Sequence, residues 1–138
     1  MRSPTTTIAA AALLLGMTFT IAVGASLRPV STTPDGKPLT AKDAGARYGE
    51  AAGAALVCNG LQITQRVADL RARYEGEALA EFDAQAGKVL QAWRSSLDCE
   101  HAEGPNDCKI SQQWSCHQAL QEIGPSGTAL RGLVEPKN

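Results

Sequence analysis

Four cysteines, Cys58, Cys99, Cys108 and Cys116, constrain this chain more than any other feature, and their meaning depends on the compartment they reach. The amino terminus settles the expected compartment. MRSPTTTIAAAALLLGMTFTIAVGAS has the layout of a secretory signal: Arg2 precedes an apolar run from Ile8 to Val23, and Val23-Gly24-Ala25 supplies small residues before Ser26. A cleaved signal peptide over residues 1–25 and a periplasmic or secreted mature protein are therefore expected. The alternative is an uncleaved membrane anchor, since residues 8–27 reach the roughly 20 positions that span a bilayer.

In an exported chain of this size, an even number of cysteines reads as a disulfide framework. Cys108 and Cys116 stand on one expected helix, separated by roughly 12 Å of helical rise. Bridged α-carbons lie within about 7 Å, so these two cannot pair. Antiparallel packing of neighbouring helices, with reversals near Gly76 and in the 99–108 loop, decides between the two pairings left. It puts Cys58 about 18 residues above the first reversal and Cys116 about 15, level to within about 5 Å. The expected bridges are Cys99–Cys108, stapling a hairpin, and Cys58–Cys116, tying the first helix to the third. The chain-entropy model assigns them roughly 2.5 and about 4 kcal/mol.

The rest of the pattern is helical. Residues 26–40, with Pro29, Pro34 and Pro38, read as a flexible linker. Thr40 then caps a first helix whose apolar residues recur at Leu56, Ile63, Val67, Leu70 and Tyr74, with Asn59-Gly60 as the point where it bends or splits and Gly76 as its end. A second helix, about 77–97, carries Leu79, Phe82, Ala86, Val89, Trp93 and Leu97 on one stripe. A third, about 107–123, is capped by Asn106 and stops at Gly124-Pro125. No strand pattern is visible, and residues 125–138 read as an irregular tail. The expected fold is all-α: an antiparallel, disulfide-stapled bundle of about three helices in a domain over 41–124.

Gly45, Gly49 and Gly53 fall at i, i+4 and i+8, a flat stripe that lets another backbone approach closely. Asp43, Arg47 and Glu50 forbid a membrane meaning for it. The stripe is expected either to pack against the protein's own second or third helix or to be a docking face for a partner's helix, because unrequited glycines cost up to about 1 kcal/mol each.

Chemistry is sparse. His101 and His117 are the two histidines, and neither has a Ser or Cys nucleophile at a convincing helical spacing. There is no glycine-rich phosphate loop, no H-E-x-x-H and no calcium loop. Glu77, Glu81 and Asp83 read as a solvated face. In QQWSCHQAL, residues 112–120, the pair Cys116-His117 ends a c-type haem signature whose first cysteine is replaced by Gln113. A Cys/His metal or haem site built from Cys99, His101, Cys108, Cys116 and His117 is the alternative that pair leaves. The preferred reading is Cys116 in a bridge, Trp114 packed in the core beside it, and His117 on the surface.

Thirteen basic residues stand against fourteen acidic ones; losing Arg2 with the signal leaves a net charge of −2. Nucleic-acid binding has no electrostatic footprint here, and no basic cluster suggests an anionic membrane. The sequence thus points to an exported helical binding protein that is not an enzyme and carries no cofactor, an accessory or adaptor to a protein partner.

Overall fold

A computed structural model describes residues 32–98 and 104–138 of the chain. The signal segment, Cys99 and His101 lie outside the described residues, and with them the Cys99–Cys108 pairing and the choice between cleavage and anchoring.

Four helices and a two-stranded sheet follow one another: α1 (Ala41–Val57), β1 (Leu61–Ile63), α2 (Gln65–Arg71), α3 (Gly76–Asp98), α4 (Pro105–Ile123) and β2 (Val134–Pro136). Thr40 caps α1 as its sequence implies, its hydroxyl accepting the Asp43 N–H at 3.1 Å. Ahead of it, residues 32–38 form a closed turn rather than a free linker, with Thr32 bridged to Pro38 and Gly36 at φ 81°.

The first expected helix is divided at Asn59-Gly60. α1 stops at Val57, β1 turns the chain, and α2 restarts on the Thr64 cap. Leu56 and Ile63, expected on one buried face with Val67 and Leu70, are instead half exposed, because the break takes them out of register with α2.

Gly76 adopts φ 57°, the left-handed conformation expected of it, and opens α3. β1 and α2 have by then carried the chain back, so α3 runs parallel to α1. Gly45 faces Phe82, Gly49 faces Ala86 and Gly53 faces Trp93, the numbers rising together. The antiparallel order expected of these helices is therefore corrected. α4 is antiparallel to α1, since Arg47 meets Glu122 at one end while Cys58 meets Cys116 at the other. Pro105 occupies the first turn of α4 and Gly104, not Asn106, is its cap.

The second correction concerns the tail. β2 pairs antiparallel with β1, Leu61 with Pro136, Gln62 with Glu135 and Ile63 with Val134. Leu130, Leu133 and Val134 are among the most deeply buried side chains in the molecule, so the tail contributes three residues to the core. Phe82 is its hub: fully buried, it packs edge-on against Tyr48 at 5.3 Å and tilted against Tyr74 at 5.2 Å between ring centres.

Candidate functional site

The glycine stripe has its occupant within the chain. A Cβ on Gly49 would stand 2.5 Å from the Ala86 carbonyl oxygen; one on Gly45 would collide with the Phe82 carbonyl, and one on Gly53 with the Trp93 ring. α3 therefore lies directly on the backbone of α1, and the face is not open to a partner's helix.

Cys58 and Cys116 are joined, with α-carbons 5.8 Å apart. The pair is the one that helical rise singles out, but the geometry behind it differs. What levels the two cysteines is α4 descending antiparallel to α1, not a reversal at Gly76. Beside the bridge, Lys109, Gln112, His117 and Leu61 line a cleft of about 520 Å³. His117 is exposed at its edge. Among the described residues no three His, Cys, Asp or Glu side chains stand together as a metal site.

Trp114 reverses its expected place. It is 71% exposed, and Ile110, one turn earlier, is 62% exposed. α4 turns Ala119, Ile123 and Cys108 inward, and residues 110 and 114 fall on the opposite side of the cylinder. α3 ends in the same manner, with Leu97 turned to solvent.

A charged cluster that sequence patterning does not single out lies on the inner side of α4. Arg47 Nη1 donates to Glu50 Oε2 at 2.7 Å and also to Glu122 Oε2, while Gln118 Nε2 donates to Glu122 Oε1 at 2.8 Å. Arg47 and Glu50 are three apart on α1 and legible as a local pair. Glu122 comes from 75 residues away, and no local signal announces it. The Glu50 side chain is only 12% exposed. Burial pushes its carboxyl above the ordinary range; Arg47 opposes the rise and the neighbouring Glu122 charge adds to it. Glu122 moves the other way, held low by the Gln118 hydrogen bond against its own desolvation, with Arg47 assisting. Burial works against the Arg47 charge, but the two carboxylates more than offset it and raise its affinity for the proton.

These groups open into a cleft of about 420 Å³ between α1, α3 and α4, walled by Arg47, Glu50, Trp93, Ser96, Gln118 and Glu122. Of the acidic residues expected on the exposed face of α3, Asp83 forms a bidentate pair with Arg71 of α2 at 2.9 and 2.7 Å. Both partners are nearly half exposed, so the pair fixes orientation more than it stabilises.

Comparison with known protein families, characterised proteins and solved structures finds no match for this chain.

Proposed function

We propose that the chain is an exported, disulfide-stapled helical protein that acts by binding, an accessory or adaptor whose protein partner docks on the outer face of α4. The observation that carries this reading is the pair Ile110 and Trp114. They stand exposed on a helix anchored by the Cys58–Cys116 bridge, so a large aromatic is presented from a fixed platform. Exposed aromatic groups on rigid elements are the usual anchors of protein interfaces, and their loss costs a complex about 2 kcal/mol or more, roughly 30-fold in affinity. A disulfide suits an oxidising compartment. Among the described residues no helix is long and apolar enough to cross a membrane.

Two measurements test the reading. The intact mass of the mature protein is expected to show cleavage after Ala25 and the loss of four protons for two bridges; retention of residue 1 favours the anchored form. A photo-crosslinker placed at exposed Gln113 is expected to capture a protein partner in the source cell, and Trp114→Ala to abolish that capture. The same probe at Lys88, exposed on α3, is the control. Equal capture from both positions, or capture indifferent to Trp114→Ala, overturns the outer face of α4 as the interface.

A further inference from the structure

We infer that the partner of the outer face of α4 is a second copy of this chain, the two α4 helices pairing antiparallel about a two-fold axis at Gln112. The inference rests on the reading of that face as a protein interface and names its occupant.

Helical spacing is the first argument. Asp107, Ile110, Trp114 and His117 are all exposed, and they follow one another at steps of three, four and three. At about 100° per residue they fall within about 80° of arc, a narrow seam of the kind along which two helices pair. Cys108, Ala119 and Ile123, which α4 turns into its own protein, lie on the opposite side of the cylinder.

Self-complementarity is the second argument, and it selects a second copy. In an isologous pair, each residue before the axis meets the partner residue at the same distance after it. Ile110 and Trp114 stand two residues either side of Gln112, so Ile110 meets the partner's Trp114 and Trp114 meets the partner's Ile110. Asp107 and His117 stand five residues either side of the same point, so a carboxylate meets an imidazole at both ends of the seam. Binding to an unrelated helix places no such demand on a sequence. Lys109, the other charged residue between Asn106 and Gln121, lines the cleft at the Cys58–Cys116 bridge and stands off the seam. The pairing therefore brings no like charges together, and the exposed, uncharged Ser111, Gln113 and Gln118 flank it as a polar rim.

Surface shape is the third. Trp114 and His117 line a cleft of about 770 Å³ that Ser126 and Thr128, just past the end of α4, line as well. Antiparallel pairing lays the first turn of the second α4, with the partner's Asp107, over that cleft. From 107 to 117 the seam is about 15 Å long. The buried area falls at the small end of specific interfaces, so the dimer is weak and reversible, with a Kd of about 10–100 µM.

Sedimentation equilibrium of the oxidised mature protein at pH 7, from about 10 µM to about 1 mM, reads the pairing. A monomer passing to a dimer across that range is expected. Trp114→Ala is expected to raise Kd about tenfold or more. His117→Glu sets a carboxylate against the partner's Asp107 at both ends and is expected to raise Kd about tenfold; adding Asp107→Lys is expected to bring it back to within about threefold of the parent. That restoration requires residue 107 to face residue 117, which a merely adhesive surface does not. A chain that stays monomeric at about 1 mM, a dimer indifferent to Trp114→Ala, or a double variant that pairs no better than His117→Glu overturns the inference. Gln113 crosslinking keeps the two readings apart. A monomer whose Gln113 captures a different protein removes the self-pairing and leaves the outer face of α4 as an interface, whereas a monomer with no capture that depends on Trp114 removes both.

Discussion

Gly49 lies against Ala86 so closely that a methyl group on it would stand 2.5 Å from the Ala86 carbonyl oxygen, backbone upon backbone. Gly49→Ala is therefore expected to lower stability by about 1–2 kcal/mol, overpacking outweighing the helix propensity gained. Gly87 is the contrast. It sits in the interior of α3 with nothing within 4 Å of the position its methyl group would take, so Gly87→Ala is expected to raise stability by about 0.5–1 kcal/mol. Urea unfolding of both variants reads the difference, and equal signs would contradict the close approach of α1 and α3.

Replacing Cys58 and Cys116 together by alanine opens a loop of 58 residues. The chain-entropy model gives a loss of about 4 kcal/mol. Denaturant midpoints of the double variant and the oxidised parent check it. A loss below about 1 kcal/mol would mean that the buried Ala119 and Ile123, with the Arg47–Glu122 pair, hold α4 in place without the bridge.

Glu50 and Glu122 give stability opposite pH slopes. Glu122 titrates below its ordinary value of 4.5 in the folded chain, so its contribution is present above about pH 4.5 and lost as pH falls through the folded value. Glu50 titrates above 4.5 when folded. Its contribution is present below about pH 4.5 and lost as pH rises through the raised value. Thermal melts are expected to show Glu50→Gln gaining on the parent between pH 4.5 and pH 7, whereas Glu122→Gln falls behind it over the acid range below pH 4.5 as pH rises.

Leu133 and Leu56 separate the true core from the apparent one. Leu133 is fully buried and Leu56 is 50% exposed. Truncation to alanine is expected to cost about 2–5 kcal/mol at 133 and under about 1 kcal/mol at 56, by chemical denaturation.

The helices are legible in the sequence where capping and period agree. Thr40 and Gly124 cap observed helix ends, and Phe82, Ala86 and Trp93 share the face of α3 that meets α1, whereas Gly76, expected to end the first helix, opens α3 five residues after α2 has stopped at Arg71. What local pattern cannot carry is pairing at a distance. Leu61-Gln62-Ile63 and Val134-Glu135-Pro136 are three residues each, too short to show a period of two, and each is a strand only because of the other. The same limit applies to the site. Arg47 and Glu50 are visible as charges on α1, but Glu122 reaches them only once α4 has folded back. Trp114 stands two residues from Cys116, and nearness in sequence to a bridge suggests nearness to the core; two residues along a helix turn the side chain to the opposite side instead.

β2 closes the molecule by pairing with a strand more than seventy positions earlier. Each of the ties that finish α1 and β1 arrives late: Cys116 for Cys58, Glu122 for Arg47, Val134 for Ile63. A chain emerging amino terminus first thus has α1 and α3 ready to zip together while the clasp is still to come. The Cys58–Cys116 bridge cannot close until the α4 segment, 58 residues further along, is present.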